Sequence, residues 1–138
     1  MAQFIPVEPF DLVIVGGTGD LAMRKLLPAM YHRVRDGQVS EDSRIIAVGR
    51  GAQANDEYRR EALDSVRRAL ADEDCDEAVL DGFAARLHYV EADALDHGSW
   101  GELSQLLAGH EDRVRVVYAA TSPSLFGPIA TGFRVNGL

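Results

Sequence analysis

Residues 11–25 read DLVIVGGTGDLAMRK. Leu12, Val13, Ile14 and Val15 form a short continuous apolar run, Gly16, Gly17 and Gly19 follow at once, and residues 21–27, LAMRKLL, favour a helix. The order is strand, glycine turn, helix. A helix start leaves unpaired N–H donors and a partial positive charge facing outward, so such a turn is suited to hold a pyrophosphate against backbone. Gly16 can take the sharp turn, Gly19 has no Cβ to hold a phosphate away, and Ala22 is small enough to let the helix sit close to the strand. The spacing is G-x-x-G-x-x-A rather than G-x-G-x-x-G, and a plain glycine turn is the alternative reading. With the strand before it and the helix after it, the phosphate cradle is preferred, with Gly16, Gly17, Thr18, Gly19, Asp20 and Leu21 as its residues.

Outward from this stretch, the pattern predicts alternating strands and helices. The first helix should run from Asp20 to residues 36–37, with Gly37 as C-cap. Pro28 inside it predicts a kink or broken turn near residues 24–27. Leu21, Leu26, Leu27, Met30, Tyr31 and Val34 recur at helical spacing and should face the sheet. Residues 44–48, RIIAV, read as a second buried strand with Gly49-Arg50-Gly51 as its exit. In dinucleotide folds that position meets the adenosine ribose, where an arginine accommodates a 2′-phosphate. Arg50 thus argues for NADP, in a bond of roughly 1.5 to 3 kcal/mol; a solvated surface arginine is the other reading.

Asn55 should cap a helix to about residue 70, with Tyr58, Ala62, Val66 and Ala69 inward and Arg59, Arg60, Arg67 and Arg68 outward. An acidic loop at 72–76 and a short helix at 76–84 precede a third strand at 87–91, in which His88 reads as a packed or edge histidine. Asp96 is expected to N-cap a helix carrying Trp100, Leu103, Leu106 and Leu107 that stops at Gly109. Residues 115–119 read as the fourth strand. The turn at 120–126 that ends it should face the cofactor, because ligands of an open α/β sheet bind beyond the carboxyl ends of the strands; a proline-terminated strand is the other reading. Residues 126–138 begin a helix that stops without a cap. Residues 2–10 suit an extended lead-in. The fold class is therefore α/β, a Rossmann-like doubly wound parallel sheet, incomplete at its carboxyl end, over residues 11–138.

The chain has 138 residues, 46% hydrophobic and 26% charged, one domain's worth with nothing to suggest disorder. Its net charge of -8, with acids concentrated between Asp56 and Asp96, disfavours nucleic acid as a partner. No apolar run approaches the roughly 20 residues of a membrane span, and the first residues lack a signal peptide's pattern, so a cytoplasmic location is expected. Cys75 cannot form an internal disulfide, and His97 and His110 have no partner spacing for a metal.

The stretch GGTGDLAMRKLLPAMY resembles the amino-terminal pattern of glucose-6-phosphate dehydrogenases, G-x-x-G-D-L-A-x-R-K-L-x-P-A-L-Y, with Met30 where that pattern has leucine. Tyr89, Val90, Asp93, Asp96, Ser99, Trp100 and Leu103 resemble the family's Y-x-x-G-D-x-x-D-x-x-S-Y-x-x-L segment. Ala92 stands there for glycine and Trp100 for tyrosine. YAATSPSLFGPIA, at 118–130, resembles Y-x-A-x-P-P-x-x-F-x-x-I-A.

The resemblance implies NADP as cofactor, with Arg50 and the Thr18 hydroxyl on its 2′-phosphate and Ala120, Thr121 and Pro123 along the dinucleotide near the nicotinamide. It also implies that Lys25 stands at the active cleft against sugar phosphate or cofactor; a surface helix lysine is the alternative. The complete enzyme would oxidise glucose 6-phosphate to 6-phosphogluconolactone, and it would associate through a carboxyl-terminal domain that this sequence lacks. The family's histidine base lies in an R-I-D-H-Y-L-G-K segment that is also absent here, so no catalytic residue and no metal ligand is expected, and the stretch alone should bind cofactor without turnover. A short-chain or epimerase-like reductase is the alternative enzyme, although its Tyr-x-x-x-Lys pair is missing. A non-catalytic dinucleotide-binding fragment is the third possibility.

Overall fold

The apolar run and its glycine turn lie at the middle of the sheet. A computed structural model describes residues 8–70 and 75–138. Strands β1 (Phe10–Val15), β2 (Arg44–Gly49), β3 (Leu87–Glu91) and β4 (Val114–Ala119) pair in parallel in the order β3-β2-β1-β4. Register runs Val15 to Val48 on one side of β1 and Val15 to Ala119 on the other. The order reverses between β1 and β4, as a doubly wound sheet requires.

Successive side chains of a strand face opposite ways, and both faces here are covered. On one face Ile14, Ile45, Ala47 and Leu87 pack under helices α1 (Leu27–Arg35), α2 (Asn55–Ala69) and α3 (Glu77–Ala85) with Tyr31, Tyr58, Val66 and Phe83. On the other, Val13, Val15, Ile46, Val48 and Val90 meet Trp100, Leu103, Leu107 and Ile129 of the segments around α4 (Gly101–Leu107) and α5 (Phe126–Val135). β3 and β4 are the edges, and the cover does not extend over β4, whose Val114, Val116, Val117 and Tyr118 side chains are exposed. Among the described residues no helix is long and apolar enough to cross a membrane.

The first helix begins at Asp20 but passes through a π turn, Ala22–Leu26, before α1. Leu27 N–H reaches back five residues to Ala22 O. In that register Pro28, having no N–H, leaves Met23 O unserved, and Ser65 Oγ of α2 donates to it at 2.8 Å. The disturbance expected near 24–27 is thus present, repaired from another helix. Gly37 takes φ +73. Gln38 N–H and Gly37 N–H return to Arg33 O and Val34 O as a Schellman cap.

Several expectations need correction. Leu21 points outward, and Ala22 and Pro28 take its place inside with Leu27 and Tyr31. Ala69 is exposed, while Ser65 and Leu70 are buried. Asn55 does not cap α2. It is the first helical residue, and its Oδ1 accepts from Tyr89 N–H of β3 at 2.8 Å. Arg59, expected to face solvent, donates from Nε to Leu87 O at 3.0 Å. Asp96 caps only a short 3₁₀ turn, His97–Ser99, and α4 starts afresh at Gly101. The last helix is capped after all: Gly137 has φ +71, its N–H bonds Arg134 O, and Leu138 N–H bonds Phe133 O. The lead-in up to residue 7 and acidic positions 72–74 lie outside the described residues; Phe10 is already strand.

At the amino end of the strands Asp11 is fully buried. Arg44 Nε and Nη2 donate to its two oxygens at 2.8 and 2.7 Å, and Arg113 Nη1 donates at 3.3 Å. Burial pushes this carboxyl up, but the hydrogen bonds and charges of Arg44 and Arg113 outweigh it and hold it below the usual carboxylate range. The clamp ties β1, β2 and the entry to β4 at the end away from the glycine turn.

Candidate functional site

The carboxyl ends of all four strands surround one cleft of about 340 Å³. Gly16 N–H and Gly17 N–H both bond Val48 O, at 2.9 and 3.1 Å, so the turn is stitched to the end of β2. Ala120 N–H bonds Val15 O, and Ala92 N–H bonds Gly49 O, drawing in the loops after β4 and β3. Val15, Gly16, Thr18, Gly19, Val48, Gly49 and Arg50 line one part of the wall, and residues 92–95, Ala120, Thr121, Ser122, Ser124 and Leu125 the rest.

The three glycines of the turn serve different ends. Gly16 has φ +87, and a Cβ there would lie 2.5 Å from Ala120 O. A Cβ on Gly17 would lie 2.5 Å from Ala47 Cβ, so this glycine is packed against β2 and faces away from the cleft. A Cβ on Gly19 would meet only Gly16 O, at 3.4 Å, an ordinary contact. Nothing in the protein itself demands glycine at position 19, and the space beside it opens into the cleft. The first regular bond of the helix is Met23 N–H to Gly19 O, so the N–H groups of Asp20, Leu21 and Ala22 precede the helical ladder. This is the geometry in which a phosphate fits against backbone.

Arg50 is exposed and is the single cation among the cleft-lining residues. It makes no ion pair or side-chain hydrogen bond among the described residues. On its other side is an acidic recess with Glu91, Asp93, Asp96 and Glu102. Those acids are partly engaged by backbone: Asp93 Oδ1 accepts from Leu95 N–H at 2.9 Å and Asp96 Oδ1 from Gly98 N–H at 3.2 Å. Asp93 O also accepts from Trp100 Nε1 at 2.9 Å, fixing the loop after β3 to the core.

Behind the turn, Tyr58 Oη donates to Gly17 O at 2.7 Å and Tyr89 Oη donates to Gly51 O. The two rings stack with centroids 5.4 Å apart. Burial, with Glu61 and the neighbouring phenol adding to it, pushes the Tyr58 hydroxyl well up; burial and the charges of Glu91, Glu102 and Glu61 raise Tyr89 against the opposing Gly51 bond. Both therefore stay protonated donors.

Of the residues singled out from sequence, Gly16, Thr18, Gly19, Arg50, Ala120 and Thr121 come together in the cleft. Gly17 supports it from behind. Asp20, Leu21, Lys25 and Pro123 are not among its lining residues; Leu21 and Lys25 are exposed on the first turns of the helix. Residues 92–95 were missed, whereas Ser122, Ser124 and Leu125 belong to the turn after β4 that was expected to face the cleft. A prior on strand ends could have found the 92–95 loop, since it directly follows β3. None of the four histidines lines the cleft, and burial, helped by Arg59 and Arg44 against the opposing charge of Asp11, holds His88 below its ordinary value. No group of acids, histidines and cysteine among the described residues is arranged for a metal.

A parallel sheet wound in both directions from β1, with a glycine turn and four strand ends around one cleft, places the chain in the class of Rossmann-like α/β domains. Residues 13–138 match the family model described as "Glucose-6-phosphate dehydrogenase, NAD binding domain". The chain belongs to this family. It is 47% identical over 137 residues to glucose-6-phosphate 1-dehydrogenase of Rhizobium meliloti (strain 1021), covering 99% of this chain and 28% of that protein. It is 46% identical over 131 residues to the enzyme of the same name from Gluconobacter oxydans (strain 621H), covering 94% and 27%. The crystal structure of glucose-6-phosphate 1-dehydrogenase from Mycobacterium avium superimposes with a TM-score of 0.82 at 31% identity, over 93% of this chain and 27% of that one. The chain thus spans little more than a quarter of the length of these relatives.

Proposed function

We propose that this chain is the cofactor-binding part of a glucose-6-phosphate dehydrogenase and that its cofactor is NADP. One observation carries the reading: the open side of Gly19 and the unpaired Arg50 line the same cleft at the switch point of the sheet. In this reading the N–H groups at the start of the helix, from Asp20 and Leu21, and the Gly16-to-Gly19 turn receive the pyrophosphate. Arg50 and Thr18 receive the 2′-phosphate of the adenosine half. Ala120, Thr121 and Pro123, on the β4 side, flank the nicotinamide half.

When bound, NADP supplies a hydride acceptor. The residues of this chain bind and orient it, and the low dielectric of the Val15, Val48 and Leu125 wall strengthens their polar contacts. Lys25 is assigned to the sugar-phosphate side, as the family motif implies, reached from the exposed flank of the same helix. The histidine base of the complete enzyme belongs to a segment not in this sequence, so this chain's share is recognition. Glucose 6-phosphate as the substrate of the complete enzyme, a cytoplasmic location and self-association through a further domain go with this reading. The reductase alternative has no supporting pair of residues here.

Binding isotherms for NADP and NAD, on the protein and on Arg50→Ala, test the assignment. NADP should bind more tightly, and the substitution should remove about 1.5 to 3 kcal/mol of that difference. Equal affinity for the two nucleotides in the unsubstituted protein would overturn it.

A further inference from the structure

Arg50 sits on a short exit loop whose backbone is held on both sides. Gly49 O accepts from Ala92 N–H at 2.9 Å, and Gly51 O accepts from Tyr89 Oη. The Tyr89 hydroxyl reaches Gly51 only by passing Gly49, where a Cβ would lie 2.7 Å from that oxygen. Glycine at 49 is therefore required by the tyrosine, not by backbone torsion, and Asn55 Oδ1 fixes the same tyrosine's N–H. The neighbouring ring, Tyr58, stacks on Tyr89 and bonds the carbonyl of Gly17 in the phosphate turn. Two carbonyls in the two segments that meet the cofactor are thus tethered to one stacked aromatic pair in the core.

We propose that this pair positions the two halves of the cofactor site relative to each other: Tyr89 is a specificity-determining residue that acts through Arg50, and Tyr58 a positioning residue that acts through the glycine turn. The inference rests on the NADP reading above. An arginine side chain has large rotamer freedom, and anchoring the backbone on either side of it lowers what must be ordered when a phosphate arrives. Loss of the Tyr89 hydroxyl frees the Gly51 side of the loop while the ring keeps its stacking, and water replaces the donor at the exposed Gly51. Loss of the Tyr58 hydroxyl loosens the turn that both nucleotides share.

The test is a set of NADP and NAD isotherms on the unsubstituted protein, Tyr89→Phe, Tyr58→Phe, Arg50→Ala and the double variant Tyr89→Phe/Arg50→Ala, with melting curves to confirm folding. Tyr89→Phe should weaken NADP by about three- to tenfold and leave NAD unchanged, narrowing the preference. Tyr58→Phe should weaken both nucleotides by the same factor. In the Arg50→Ala background, Tyr89→Phe should leave the ratio of affinities where it was; a narrowing that appears with Arg50 present and vanishes without it is the result a merely structural role would not produce. An unchanged ratio in Tyr89→Phe, or an equal loss of both nucleotides, overturns the proposal while leaving the NADP reading intact. If the unsubstituted protein does not prefer NADP, or Arg50→Ala leaves the preference unaltered, the underlying reading falls and the proposal with it.

Discussion

Replacing Gly17 by alanine and replacing Gly19 by alanine make the same chemical change two residues apart, and the structure predicts opposite outcomes. Neither residue has a positive φ, so backbone strain does not separate them. At Gly17 the new Cβ lies 2.5 Å from Ala47 Cβ and 2.9 Å from Ala47 Cα. Carbon atoms pack at about 3.5 to 4.0 Å, so the turn and β2 must part by roughly 1 Å. Ala47 is fully buried and pairs with both Ile14 and Tyr89, so it has nowhere to go. Overpacking of this kind costs about 1 to 3 kcal/mol, and the rigid neighbour places it toward the upper value. For a domain of this size that lowers the melting temperature by roughly 10 °C. At Gly19 the nearest atom is 3.4 Å away, and stability should change by no more than about 0.5 kcal/mol. There the methyl group projects where a phosphate would approach, and losing one charge-assisted bond weakens NADP and NAD alike by roughly ten- to a hundredfold. Thermal unfolding by circular dichroism and nucleotide calorimetry on both variants measure the two effects separately. A Gly19→Ala protein that melts as low as Gly17→Ala, or one that binds nucleotide undiminished, would refute the assignment of roles.

Other outcomes follow from the same contacts. Asp11→Asn removes one member of a buried charge cluster and leaves Arg44 and Arg113 without their counter-charge. It should cost about 3 kcal/mol in denaturant unfolding at neutral pH. Because the folded-state value of Asp11 is depressed, its contribution is fully present above the ordinary carboxylate pKa of about 4 and disappears as pH falls through the lower folded value. The difference between Asp11→Asn and the unsubstituted protein should therefore shrink in acid-range unfolding curves. Gly132→Ala would set a Cβ 2.4 Å from the Trp100 ring and should cost about 1 to 3 kcal/mol, with Trp100 fluorescence shifting as the ring is displaced. Tyr31 is buried with no partner for its hydroxyl among the described residues, so Tyr31→Phe should be neutral or stabilising by up to about 1 kcal/mol in the same melts.

Short-range chemistry was readable from the residues alone. The strand, turn and helix of 11–25, the left-handed glycines at 16, 37 and 109, and the disturbance ahead of Pro28 each depend on covalent structure within a few residues. The buried strands were legible as short continuous apolar runs, the pattern of a parallel sheet covered on both faces. Only the tertiary structure decided which glycine packs against β2 and which opens on the cleft, since the difference lies in Ala47, thirty residues away. The same holds for Asn55, whose side chain accepts from the Tyr89 N–H of β3 instead of capping its own helix, and for Ser65, which rescues the carbonyl that Pro28 leaves bare. Leu21 looked inward by spacing because a regular helix was assumed, and the π turn alters the spacing of the residues that follow. Contacts between residues distant in the chain impose no periodicity on it, so the local chemistry of the turn was written in the sequence while the partners that give each turn residue its task were set by folding.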